Sequence, residues 1–113
     1  MGSLLNQNLA SKYMEKSIKL NDEKDYLYYR EGSGGTLEIW DIAVTSKRRQ
    51  GIGRELFKQL LEKENPTFVI AFTRGSNVEA RAFYKALGFT ETIVPKMYGE
   101  DAYLVTYENS FHR

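Results

Sequence analysis

Arg48-Arg49-Gln50-Gly51-Ile52-Gly53-Arg54 lies between an apolar run, Leu37 to Val44, and an amphipathic run, Ile52 to Glu64. The first run reads as a strand and the second as a helix. Strand, glycine loop and helix together offer backbone N–H groups to an anion. The first turn of a helix has donors without partners, and the macrodipole adds partial positive charge there. Glycines let a phosphate approach with no Cβ in the way. Lys47 and three arginines fall within this short segment. A phosphate-bearing ligand is therefore expected here, whereas Lys47-Arg48-Arg49 without the glycines would read as a solvated loop.

Outward from this loop, the apolar and polar patterning gives an order of elements. Leu4 to Leu20 reads as a helix, with Leu5, Leu9, Tyr13 and Ile18 near one face. Asp25 to Arg30 is tyrosine-rich and strand-like. Gly32-Ser33-Gly34-Gly35 is a turn, so its flanks form a hairpin with Thr36 to Val44. The helix Ile52 to Glu64 carries Ile52, Leu56, Phe57, Leu60 and Leu61 on one stripe and ends at Asn65-Pro66. Phe68 to Phe72 is a continuous apolar run, as in a strand buried on both faces. A second helix, Val78 to Leu87, has the stripe Val78, Ala82, Phe83, Ala86 and Leu87 and stops at Gly88. Thr90 to Val94 and Ala102 to Tyr107 close the sheet around Gly99. Leu37 to Phe72 is a strand–helix–strand crossover, which gives parallel neighbours. The flanking hairpins are antiparallel. The fold class is α+β or α/β, with a mixed central sheet flanked by helices.

Length and composition set bounds. The 113 residues suggest one domain, 1–113. There is no cysteine, and His112 is the one histidine, so a disulfide framework, a thiol nucleophile and a His/Cys metal site are not expected. No apolar run reaches the roughly 20 residues of a membrane span, and no signal-peptide pattern starts the chain. A cytoplasmic location is the default expectation. The net charge of +1 gives no global attraction to nucleic acid. A nucleic-acid-binding domain using Lys47, Arg48, Arg49 and Arg54 on phosphates remains the reading from another class.

Two nucleotide fingerprints fail at the glycine loop. A Walker loop needs Gly-Lys-Ser/Thr, and Arg54 follows Gly53. A dinucleotide loop needs glycine or alanine where Leu56 stands. Arg48-x-x-Gly51-x-Gly53, entered from Asp41-Ile42-Ala43-Val44, instead resembles the acyl-coenzyme A loop of the GNAT superfamily of N-acetyltransferases. Asn77-x-x-Ala80-x-x-Phe83-Tyr84-x-x-Leu87-Gly88-Phe89 resembles that family's next motif, one helix and one buried strand further on. Asn77 and Tyr84 are seven apart, so they fall within about 20° on a helix and about 10 Å along it.

The resemblance implies acetyl transfer from acetyl-CoA to a small-molecule or peptide amine by direct attack. It implies that Arg48, Arg49, Gln50, Gly51, Ile52, Gly53 and Arg54 hold the pyrophosphate. Ile42, Ala43 and Val44 would pair through their backbone with the pantetheine arm, beside Asn77 and Phe83. Tyr84 would protonate the leaving thiolate. Two acids on the central strand, Glu38 and Asp41, are candidate bases, with Glu38 preferred. Three apart, they are expected on opposite faces of a regular strand. Asp41 interrupts an apolar run, and burial there would raise its pKa. A coenzyme A-binding module without catalysis is the alternative within the same fold. About 25 residues precede Tyr26. Relative to the family, the N-terminal strand and part of the acceptor region are expected to be missing, and a homodimer would cover the open sheet edge.

Overall fold

A computed structural model of the chain describes residues 15–45 and 51–110. Its strands are β1 (Lys16–Leu20), β2 (Asp25–Glu31), β3 (Thr36–Val44), β4 (Phe68–Arg74), β5 (Thr90–Val94) and β6 (Ala102–Glu108). The helices among the described residues are α1 (Ile52–Glu64) and α2 (Val78–Ala86). The strands form one sheet in the order β1-β2-β3-β4-β6-β5. β3 and β4 run parallel, as the crossover through α1 requires, and every other pairing is antiparallel. The expected mixed sheet flanked by helices is therefore the fold.

The glycine-rich turn folds back as expected, with the Gly32 N–H donating to the Thr36 carbonyl at 2.8 Å. α1 starts at Gly51, whose φ of 79° lies in the left-handed region. It stops at Asn65, also left-handed, whose N–H donates to the Leu61 carbonyl at 2.9 Å. Gly88, with φ of 102°, follows the end of α2.

α1 lies over the face of the sheet that carries Leu27, Tyr29, Leu37, Ile39, Val69, Ala71 and Val105, and it buries Leu56, Phe57 and Leu60 there. Phe57, Tyr84, Phe89 and Tyr107 form an aromatic cluster at ring separations of 5.0–5.4 Å, which joins α2 to α1 and β6. The Tyr29 hydroxyl is buried under the end of α1 and donates to Glu64 Oε2 at 2.6 Å. Glu64 also accepts from Lys16 at 3.4 Å, which fastens α1 to the first two strands.

Three expectations change. Lys16–Leu20 is a strand and not the end of a helix; the remainder of that expected helix, 4–14, lies outside the described residues. In so short a segment Ile18 fits a period of two as well as 3.6, and pairing with β2 decides between them. β4 is sealed on the α1 side only: Val69, Ala71 and Thr73 are buried, whereas Ile70 and Phe72 are half-buried and Phe68 is exposed. The inward stripe of α2 is Ala80, Phe83, Tyr84 and Leu87, while Val78, Ala82 and Ala86 are exposed. Tyr84 packs in the core, so the helix is rotated relative to the stripe expected from its aliphatic residues.

Candidate active site

The parallel pairing of β3 with β4 covers only Thr36–Ile39 against Phe68–Ala71. β3 continues to Val44 and β4 to Arg74 without pairing each other. The two strands separate, and the far half of β3 keeps only β2 as a partner. A groove of about 340 Å³ opens at the separation, lined by Ile42, Val44, Gly53, Asn77, Glu79, Ala80 and Phe83. One wall is the unpaired edge of β3, another is the start of α1, and the third is the first turn and inner face of α2.

The start of α1 suits an anion. No side chain caps it, so its first-turn N–H groups have no capping partner from a side chain. Gly51 has open space where a Cβ would project. Gly53 does not: a Cβ there would lie 2.5 Å from the Phe83 ring. The first glycine thus leaves an approach to the helix start, and the second lets α2 press against α1. Arg48, Arg49 and Gln50 lie outside the described residues. Arg54 is turned from the groove, with its guanidinium 3.4 Å from the Ala86 carbonyl at the end of α2.

Asn77 is the N-cap of α2. Its Oδ1 accepts from the Ala80 N–H at 3.1 Å, and Asn77 lines the groove. Tyr84 is 4% exposed, against Phe83 and Phe89. Burial, and then the charge of Asp41, push its phenol well above the ordinary tyrosine value. It keeps its proton throughout the physiological range. Asn77 therefore stands at the mouth of the groove and Tyr84 in the core, not on one exposed strip. Thr73, at the end of β4, has a buried hydroxyl with no hydrogen-bond partner among the described residues.

The two acids lie on the same face of the sheet, contrary to the spacing argument. Tyr28 pairs with Asp41 but Tyr29 pairs with Ile39, so Trp40 is an extra residue in β3. Such a bulge inverts the alternation beyond it. Glu38 opposes Arg30 and accepts from it at 3.1 and 3.2 Å. Asp41 opposes Tyr28 and accepts from the Tyr26 hydroxyl at 3.4 Å. Asp41 is exposed and not buried. Trp40, pushed out by the bulge, is 53% exposed under the Arg30 guanidinium.

A profile of the acetyltransferase (GNAT) family matches residues 7–89. The chain belongs to that family. Its members bind acetyl-CoA and typically move the acetyl group to an amine acceptor. Solved GNAT structures share the fold at low identity. A GNAT-family protein from Desulfovibrio desulfuricans superimposes with TM-score 0.75 and 23% identity over 94% of this chain and 77% of its own. A GNAT acetyltransferase from Elizabethkingia anophelis, solved with acetyl-CoA bound, gives 0.70 and 24% over 96% and 84%. The ribosomal-protein-S18-alanine N-acetyltransferase of Escherichia coli gives 0.69 and 24% over 96% and 76%. Comparison with curated protein sequences gave no match.

For a GNAT chain, sequence reasoning missed the bulge at Trp40 and the groove-lining residue Glu79, and it read Ala80 as part of the second motif without giving it a place in the site. The adjacency of Trp40 and Asp41 in an otherwise apolar strand was the one available signal of irregularity. Ala80 was within reach, because its small side chain at one turn from Asn77 leaves room beside Phe83. Among the described residues, no helix is long and apolar enough to cross a membrane.

Proposed function

We propose that this chain is an N-acetyltransferase that takes acetyl groups from acetyl-CoA to a small-molecule or peptide amine by direct attack. The observation that carries the reading is the one-sided half of β3. It leaves backbone donors and acceptors unpaired beside a groove that begins at an uncapped helix N-terminus. Acetyl-CoA supplies an activated thioester. The first turn of α1, with Arg48, Arg49 and Gln50 before it, holds the pyrophosphate. Ile42, Ala43 and Val44 align the pantetheine arm through their backbone, opposite the Asn77 amide and the Phe83 ring. A β3 N–H facing the thioester carbonyl stabilises its oxyanion.

The amine nitrogen forms a bond to the carbonyl carbon, and the carbon–sulfur bond breaks. Tyr84 donates a hydrogen bond to the departing sulfur. Its raised pKa suits a standing donor better than a group that surrenders its proton. The proton lost by the amine passes through water to Asp41 and ends on the released thiol, so charge and protons balance. Asp41 is favoured over Glu38 as the acceptor of that proton. Asp41 is exposed and electrostatically linked to Tyr84, whereas Glu38 is occupied by Arg30. The amine would approach from the face of Tyr26 and Tyr28, whose rings lie 4.8 Å apart beside Asp41.

Calorimetry with acetyl-CoA, followed by thiol release across polyamines, amino acids, aminoglycosides and peptide N-termini, tests the reading. Coenzyme binding with turnover on at least one amine class is expected. A wild-type protein that binds no coenzyme overturns it; one that binds but never turns over is a coenzyme-binding module.

A further inference from the structure

We infer that Asp25, a buried carboxylate outside the proposed chemistry, is a positioning residue that holds the coenzyme edge of β3 in place. The inference rests on the coenzyme reading above. Asp25 is 0% exposed at the start of β2, where it pairs with Val44, a residue of the groove wall. Its Oδ1 accepts from the Thr45 N–H at 2.7 Å. Its Oδ2 accepts from the Asn21 side-chain amide at 2.6 Å. Thr45 Oγ1 in turn donates to the Lys24 carbonyl at 2.6 Å. One carboxylate thus ties the turn between β1 and β2 to the end of β3.

Two features argue that this clamp serves more than packing. β3 beyond Ile39 lacks β4, so β2 alone holds it through strand pairing. A strand end paired on one side opens more readily than one paired on both. The Asp25–Thr45 bond lies where that support ends. The turn that carries the clamp is also strained: Asn21, Asp22 and Glu23 have successive φ values of 55, 56 and 67°. Left-handed backbone in consecutive non-glycine residues persists only where its surroundings fix it. A buried carboxylate is itself costly without such partners. An apolar residue at position 25 would fill the core more simply, but it could not hold the Thr45 N–H.

The test is coenzyme A affinity by calorimetry, with thermal stability measured alongside. Asp25→Asn removes the charge and one of the two acceptor oxygens, so the Thr45 N–H and the Asn21 amide lose their charge-assisted bonds. Coenzyme A binding is expected to weaken on the order of tenfold, the usual scale for a lost charge-assisted bond. The double exchange Asn21→Asp with Asp25→Asn restores complementary donors and acceptors and is expected to restore affinity. If Asp25→Asn does not fold, Asn21→Gly removes the donor to Asp25 Oδ2 at a left-handed position that glycine adopts, and binding is expected to weaken several-fold. Unchanged coenzyme A affinity in folded Asp25→Asn, or in Asn21→Gly, overturns the inference. So does weakened binding that the exchange does not recover, the pattern of a general structural loss. A wild-type protein without coenzyme A binding would instead overturn the reading on which the inference rests.

Discussion

The near half of β3, Thr36–Ile39, has β2 on one side and β4 on the other; the far half, residues 40–44, has β2 alone. In the near half, Leu37 and Ile39 are buried under α1 and Glu38 is held by Arg30. In the far half, Ile42 and Val44 line the groove and Asp41 is exposed. The bulge at Trp40 is the joint between them. A strand completes a sheet where it is paired twice and can take a ligand where it is paired once. Substitutions in the two halves should therefore fail in different ways.

The largest effect is expected where the groove meets the helices. Gly53→Val places a branched side chain into Phe83, from which even a Cβ would be only 2.5 Å away. Coenzyme A affinity by calorimetry should fall by more than about a hundredfold, since α2 must move from its place on the groove wall. Unchanged affinity would separate the groove from coenzyme binding.

Next comes a pair of buried tyrosines. Tyr84→Phe removes the proposed donor and should lower kcat roughly a hundredfold with little change in Tm. Tyr29→Phe removes the bond to Glu64 under the paired half. It should cost about 1–3 kcal/mol in denaturant unfolding with coenzyme affinity unchanged. The reverse assignment of effects would break the comparison.

The acids sharpen it at smaller scale. Asp41→Asn is expected to reduce kcat about tenfold. Glu38→Gln should stay within about threefold, because Glu38 serves Arg30 in the paired half. Equal losses in steady-state assays would remove the distinction.

Alkaline pH has the smallest reach. Burial raises the pKa of both Tyr29 and Tyr84 in the folded chain. Their contribution is complete below the unfolded tyrosine value of about 10. Above it the unfolded chain releases phenolic protons that the folded chain retains, so stability falls as pH rises. Unfolding midpoints measured between pH 8 and 11 should decline only in the upper part of that range, and less steeply for Tyr29→Phe.

The sequence exposed some of this plainly. Gly51 and Asn65-Pro66 bracket α1, and the glycine-rich turn after β2 sets the hairpin, because these residues act through local backbone geometry. The two motifs that resemble GNAT acetyltransferases identified which helices face the groove. The phase of α2 was misread because Tyr84 was placed off the apolar stripe, whereas its ring packs in the core. Lys16–Leu20 was misread because five residues satisfy two periods. The separation of β3 from β4 was not legible, and the bulge at Trp40 showed only as the interruption Trp40-Asp41, which does not say which residue is extra. Both are properties of strand pairing, and one extra residue in a strand leaves no composition signal.

Amide hydrogen exchange across β3, with and without coenzyme A, tests the central claim most directly. Amides of 36–39 should be protected in both states. A subset of amides in 41–45 should exchange quickly in the free protein and become protected when coenzyme A binds. Coenzyme A binding that leaves 41–45 unchanged would contradict the assignment of the far half of β3 as the coenzyme edge.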